Sequence, residues 1–428
     1  MTTALGRLVE VNPSTPAFES LADSEDVTFM PLEAVWPDGL ADTTRRAKKS
    51  AVASGYTRFD DGDILLPKIT PTFEAGRVAL TALATAAGAA TTEVHVLRAR
   101  PEVDGRYVTY VCRSEPFLQD GSTRLQGVGN LRSVPTDFIR QFPVEVTELA
   151  EQRAVADFLD EQTSRIDTLI GKQTQLVDTL RERRQALLLR AVTKGLDSTA
   201  TLRPSGLGWA GEIPVNWDVA NIRRYAAMKT GHTPSRSTPE YWTDCHIPWV
   251  TLADVWQLRD GRTTYLKEGT QTRISDLGLA NSAAELLPAG TVVLSRTASV
   301  GFSGIMPVPM ATSQDYWNWV CGPSLLPTFL LATFRAMRDE FRSLMIGSTH
   351  QTIYQPIAAA MSVVVPPIDE QREIVAYIDR QTSQIDALIA KAEEFIGLVR
   401  ERRAALITAA VSGQIDVRTA GRAATVGA

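Results

Sequence analysis

Apolar positions recur along two long stretches of the chain on a 3.5-residue period. Ile166, Ile170, Val177, Leu180, Leu187 and Ala191 step by 4, 7, 3, 7 and 4 residues, and Ile385, Ile389, Ile396, Val399, Leu406 and Ala410 repeat those steps. Polar residues fill the remaining faces, so each stretch predicts one long helix with a narrow seam of the coiled-coil kind. The two stretches are copies. A shift of 219 residues (370 − 151) lays Glu370-Gln371-Arg372 on Glu151-Gln152-Arg153, Gln381-Thr382-Ser383 on Gln162-Thr163-Ser164, and Arg400-Glu401-Arg402-Arg403 on Arg181-Glu182-Arg183-Arg184. Over positions 151–197, 21 of 47 residues are identical. A helix from 148 to 193 would run roughly 70 Å at about 1.5 Å per residue, and its single stripe needs a partner. The duplicate is the nearest one, and the intervening chain allows antiparallel pairing. Arg184 and Arg403 interrupt the stripe and call for carboxylates across the seam. A pairing centred near Lys172 and Lys391 sets Arg184 opposite Asp379 and Arg403 opposite Asp160.

The segments flanking these helices have a different rhythm. Short β-branched runs such as Val292-Val293-Leu294 and Ser362-Val363-Val364-Val365 lie between Gly- and Pro-marked turns, the signature of strands. Asp61-Gly62-Asp63-Ile64-Leu65-Leu66 matches Pro288-Ala289-Gly290-Thr291-Val292-Val293-Leu294 as a turn entering a strand. Phe329–Leu344 predicts a helix with Leu330, Leu331, Phe334, Met337 and Phe341 on one face. Gly195 and Gly413 are the expected helix stops. The fold class is α+β: two mixed α/β heads separated by two long helices that form an antiparallel coiled coil, with an internal pseudo-twofold repeat. The expected divisions are 1–146 (first head), 147–197 (first long helix), 198–366 (linker and second head), 367–416 (second long helix) and 417–428 (disordered tail). The heads match each other much less than the helices do, which predicts two heads with different ligands.

Composition narrows the function. A chain of 428 residues, 44% hydrophobic and 22% charged, has the make-up of a globular protein of several domains. No basic, apolar, small-residue sequence opens it, so no signal peptide is expected. The stretch Leu80–Ala90 is too short to span a bilayer. Cys112, Cys245 and Cys321 are far apart with no C-x-x-C spacing, which fits a reducing cytoplasm and argues against a disulfide framework or zinc cluster. Net charge is −5; residues 1–146 carry 15 Lys and Arg against 19 Asp and Glu, and 206–365 carry 12 against 12. Binding to DNA would therefore depend on local basic patches or on a partner that supplies backbone affinity. Catalytic motifs are missing. Asn12-Pro13-Ser14-Thr15 lacks the closing aromatic of a base-flipping methyltransferase motif and reads as a turn. Ile170-Gly171-Lys172-Gln173 lies mid-helix without the glycines of a phosphate loop. Pro37-Asp38 has no convincing Glu-x-Lys after it, and His95, His232, His246 and His350 are scattered. No catalytic residue, metal or cofactor is expected.

A series of landmarks orders the second half: Gly211-Glu212-Ile213-Pro214 with Trp217, Gly231-His232-Thr233-Pro234-Ser235, Pro239-Glu240-Tyr241-Trp242, Ile247-Pro248-Trp249-Val250, Ser295-Arg296-Thr297-Ala298-Ser299-Val300-Gly301, Ala311-Thr312-Ser313-Gln314, Gly347-Ser348-Thr349 and Pro366-Pro367-Ile368-Asp369-Glu370-Gln371. In this order and spacing they resemble the specificity subunits of type I restriction-modification systems over nearly the whole chain. The first half is a more degenerate copy, carried by Gly62-Asp63-Ile64-Leu65-Leu66-Pro67-Lys68-Ile69-Thr70-Pro71 and Thr91-Thr92-Glu93. It has Gly127-Val128-Gly129-Asn130 where the second has Gly347-Ser348-Thr349-His350, and no proline pair precedes its helix.

The resemblance implies a non-catalytic, cytoplasmic reader of double-stranded DNA in phage defence. Two target-recognition domains each take half of a bipartite asymmetric site, and the helices dock two methyltransferase (M) subunits, to which restriction/translocase (R) subunits are added. Under that resemblance, residues able to reach phosphates or base edges are Arg45, Arg46, Lys48, Lys49, Lys68, Thr70 and Arg77 in the first head. In the second they are Thr233, Ser235, Arg236, Arg296, Ser299, Ser313, Gln314, Ser348, Thr349 and His350. Arg181, Arg183, Arg400 and Arg402 are the expected partner-docking residues. Trp242, Trp249, Trp317 and Trp319 are expected in the core, because a duplex reader has no exposed bases to stack. Two alternatives remain at this point: the same fold serving another phage-defence or fused methyltransferase-nuclease system, and a coiled-coil protein-interaction scaffold that reads no DNA.

Overall fold

A computed structural model describes residues 2–36, 39–128, 132–145, 147–346 and 351–418. The chain forms two compact units, Met1–Thr174 with Glu393–Ala428, and Gln175–Ala392. In the first unit, strands β1 (Val9–Val11), β2 (Ile64–Pro67), β3 (Ala79–Leu80) and β4 (Val94–Ala99) form an antiparallel sheet in the order β1-β4-β2-β3. The second unit repeats it with β5 (Ala226–Thr230), β6 (Val292–Ser295), β7 (Ser303–Ile305) and β8 (Tyr316–Cys321) in the order β5-β8-β6-β7. Gly62 and Gly290 precede β2 and β6 in the matching turns expected from sequence.

Each unit also holds a smaller sheet around one parallel pair. This is Asp26–Met30 beside Gly88–Ala90 in the first, and Ile247–Val250 beside Ala311–Thr312 in the second. An additional strand, Thr57–Phe59, extends the first of these sheets. The sequences of the two heads have diverged while their strand order has not.

The long helices are Leu149–Lys194 and Ile368–Val411, 46 and 44 residues. Gly195 and Gly413 follow them with φ of 68° and 70°, a left-handed conformation that ends a helix without the steric penalty of a Cβ. Within the second unit, Val177 and Leu180 bury against Ile385, Ile389 and Ala392. Flanking positions turn into the heads: Val155, Leu159, Ile407 and Ala410 join the core of Phe117, Phe138 and Phe142, and Leu188, Val192, Ile374 and Ile378 join that of Trp217, Trp319 and Phe334.

The repeated Glu-Gln-Arg triplet has a structural role. Gln152 and Gln371 are buried, and each side-chain oxygen accepts from a backbone N–H at the start of a head helix, Asp104 at 3.0 Å and Leu326 at 2.9 Å. Each amide donates in return, Gln152 to Thr147 and Gln371 to Ser324 and Pro366 carbonyls.

Three expectations need correction. Arg184 pairs with Asp386 at 3.1 Å rather than Asp379, and Arg403 with Asp167 at 3.1 Å rather than Asp160. Both partners lie one heptad further on. Apolar seams look alike at every heptad, so the stripe alone leaves such a shift open. The first head claims Asp160 through Arg106 at 2.9 Å and the Tyr110 hydroxyl at 2.8 Å. Second, the expected helix 329–344 is two, Pro327–Ala336 and Arg338–Ser343, divided where Met337 takes a ψ of 9°. Third, Val417, assigned to a disordered tail, is buried in the first core. Residues 419–428 lie outside the described residues.

Candidate nucleic-acid interface

In the second unit β6 runs out into a loop that gathers four of the expected residues. Arg296 is pinned by its backbone: its N–H donates to the Asp315 carbonyl (2.9 Å), and its carbonyl accepts from Ile353 N–H (3.0 Å) and the Thr352 hydroxyl (2.8 Å). Its guanidinium lies over the Trp317 ring, 4.2 Å from the centroid, and Nε donates to the Gln314 carbonyl at 2.6 Å. Gln314 Oε1 accepts from the Thr233 hydroxyl at 2.6 Å, and Ser313 donates to Asp315 Oδ2 at 2.9 Å. Thr233, Arg296, Ser313 and Gln314 are thus one hydrogen-bonded group. Burial holds the Arg296 guanidinium below its ordinary value, with Asp315 opposing. Ser299 caps the far side of the loop, its carbonyl accepting from Ser295.

The first unit rebuilds this node with other side chains. Lys68 N–H donates to the Glu93 carbonyl (2.9 Å), and the Lys68 carbonyl accepts from Val134 N–H (2.8 Å). Thr70 N–H donates to Arg132 O at 3.0 Å, as Ala298 N–H does to Gln351 O at 3.3 Å. His95 Nε2 meets the Val134 carbonyl at 2.9 Å where Trp317 Nε1 donates to that of Ile353 at 2.9 Å. Burial, chiefly, pushes His95 below its ordinary value, the Val134 carbonyl works against that, and nearby Lys68 adds to the lowering. Lys68 and Arg296 therefore occupy one position in two heads, two residues beyond the strand match at Leu66 and Leu294.

Ser348, Thr349 and His350 lie outside the described residues; Ile346 and Thr352, on either side of them, form a bridge. In the first unit the matching bridge joins Gln126 to Ser133.

The remaining residues stand apart from these nodes. The basic run occupies an outer strand of the smaller sheet and is balanced by acids. Arg45 pairs with Glu33 and Asp42, Lys48 with Asp26, and Lys49 with Asp23. Lys49 also donates to the carbonyls of Glu19 and Leu21, and Arg46 to Thr28 and Thr43. Arg77 donates to the Val35 carbonyl. Ser235 bonds Ser237, and Arg236 lies over Trp242. Trp249, Trp317 and Trp319 are buried, while Trp242 is half-buried against Trp249.

On the helices, Arg181, Arg183, Arg400 and Arg402 are exposed. A feature not anticipated from sequence is a set of exposed apolar residues obeying the same 219-residue repeat. Leu169 and Phe395 are in the first unit, Leu388 and Leu176 in the second. Among the described residues, no three His, Cys, Asp or Glu side chains gather as a metal site. No helix of theirs is long and apolar enough to cross a membrane.

Residues 214–394 match the Type I restriction modification DNA specificity domain. The chain is similar to the EcoEI specificity subunit of Escherichia coli, 32% identical over 186 residues (40% of this chain, 31% of that one). Similar in the same way are the EcoAI specificity subunit of Escherichia coli, 30% over 192 residues (42% and 31%), and the MjaIX specificity subunit of Methanocaldococcus jannaschii, 26% over 170 (39% and 38%). The matched segments span roughly a third of those relatives' lengths. In fold, a chain from a type I R-M system solved for its complex assembly and conformational transition superposes with a TM-score of 0.74 at 17% identity, covering 97% of this chain and 98% of that one. The HsdS subunit from Thermoanaerobacter tengcongensis gives 0.51 at 17% identity, covering 97% of each.

Proposed function

We propose that this chain, which belongs with the type I restriction-modification specificity subunits, is the DNA-reading and assembly subunit of such a system. Each head takes one half of a bipartite, asymmetric sequence in duplex DNA, in the cytoplasm. The long helices carry two methyltransferase subunits, and restriction/translocase subunits join them. The chain itself performs no chemistry.

One observation carries the reading: a single loop-bearing scaffold is built twice, and the two copies present unlike side chains, Lys68 and Arg296, at one pinned position. Two rigid, similar platforms with different tips suit the reading of two different half-sites. Near-neutral heads suit a reader whose partners supply much of the phosphate affinity. The expected DNA-contacting residues are those gathered at these loops, with the acid-balanced run Arg45–Lys49 in a supporting role at most.

The test is to express the chain with its neighbouring methyltransferase and map methylation across the host genome. A two-part motif with unlike halves and a fixed gap is expected, along with salt-dependent, sequence-selective binding of the complex to duplex DNA. Binding without sequence preference would overturn the reading.

A further inference from the structure

The guanidinium of Arg296 is held in a way that leaves one of its edges unused. Nε is spent on the Gln314 carbonyl, and one face is stacked on Trp317. The backbone is fixed on both sides by Asp315, Ile353 and Thr352. Neither terminal nitrogen makes a hydrogen bond or ion pair with a described residue. A planar fork with its plane and direction already set has lost most of its rotamer freedom before a ligand arrives. The ligand edge that matches such a fork in a duplex is the O6/N7 pair of guanine in the major groove, since no other base offers two acceptors at that spacing there. We infer that Arg296 reads a guanine, through both terminal nitrogens, in the half-site taken by the second head. Lys68 fills the same position in the first head.

This rests on the reading of the chain as a DNA-recognition subunit and adds which residue discriminates and which base it selects. A phosphate contact, the competing role for a surface arginine, does not need the Trp317 stack or the Gln314 bond. It would also weaken every sequence alike. Lys68 lacks the fork, and its ammonium is a single point of donation. The first head is therefore expected to discriminate less sharply at its corresponding base.

The experiment uses the assembled complex with its methyltransferase subunits and duplexes bearing the methylation-mapped site. Each guanine of the second half-site is replaced in turn by 7-deazaguanine, which lacks the N7 acceptor but still pairs with cytosine. One position should lose roughly 2- to 13-fold in affinity, about half the free energy of a bidentate base contact, because O6 still accepts. Arg296→Met should erase the sensitivity at that position alone, and Arg296→Lys should reduce it, with the first half-site unaffected in both.

Equal weakening on all duplexes, or undiminished sensitivity in both variants, would overturn the proposal while leaving the DNA-reading role intact. A wild-type complex with no sequence preference would remove that role and the proposal together. Should Arg296→Met unsettle the Trp317 stack, seen as loss of discrimination at the other positions of the second half-site, Arg296→Lys decides by itself because it keeps the charge and the long stem.

Discussion

At the scale of single residues, the duplication preserves what the packing needs rather than what the surface shows. Gln371 is buried with its oxygen on Leu326 N–H and its amide on two carbonyls. Gln371→Met would leave those backbone groups unpaired away from water, and a loss of about 1–3 kcal/mol in chemical denaturation is expected. Arg372→Ala removes only an exposed pair with Asp369 and should cost no more than about 0.5 kcal/mol. His95 gives a pH signature. Its folded value is depressed, chiefly by burial, so above about pH 6.5 both folded and unfolded chains hold it neutral and nothing changes. As pH falls below that, the unfolded chain takes up a proton that the folded chain resists, and stability declines until the depressed value is reached. His95→Gln should flatten this acid-side decline, which can approach about 1.4 kcal/mol per pH unit. Thermal unfolding of both proteins between pH 7.5 and 5.5 reads the difference, and identical slopes would exclude a buried neutral His95. None of these roles was visible beforehand. Gln152, Gln371 and His95 act through carbonyls and amides supplied by residues far away in sequence, and only the identity of the glutamines in both copies marked them.

At the scale of elements, legibility follows periodicity. The helices, their glycine stops and the strands after Gly62 and Gly290 were readable because each is specified by local spacing and local turn chemistry. Register was not, since Asp160 and Asp167 lie one heptad apart on the same helix face and an apolar seam accepts either. The convergence of Thr233, Arg296, Ser313 and Gln314 was half-readable: the residues were picked out singly, but their joining depends on a strand order that no local pattern encodes. The exposed apolar residues Leu169 and Phe395, and their repeat mates Leu388 and Leu176, bear on partner docking. If the proposed methyltransferase docking uses the long helices, these repeat-related exposed side chains are candidates to meet two identical partners. Leu176→Glu with Leu388→Glu should lower the bound methyltransferase from two copies to one per chain. The same charge changes at Leu169 and Phe395 in addition should abolish binding. Multi-angle light scattering of the co-purified complex counts the copies. Retention of two copies by the fourfold variant would place docking elsewhere, and circular dichroism of the free chain checks that the helices persist.

At the scale of the whole molecule, the informative fact is that both long helices pass without interruption from one compact unit into the other, at Thr174 and at Ala392. On the proposed reading, with heads that read independently, helix length is expected to set the gap between half-sites. Seven residues added after Thr174 and seven after Ala392 keep each unit's own pairs, including Arg184 with Asp386 and Arg403 with Asp167, because one heptad returns every side chain to its face. The insertion lengthens the helices by about 10 Å at about 1.5 Å per residue. At about 3.4 Å per base pair along B-DNA, that corresponds to roughly three base pairs. Genome-wide methylation in cells carrying the doubly extended chain should show a non-specific spacer longer by about that amount, flanked by the original half-site sequences. An unaltered spacer would mean that something other than the helices measures the gap. New half-site sequences would mean that the heads depend on one another for what they read, against the separate folding of each head's loops on its own sheet.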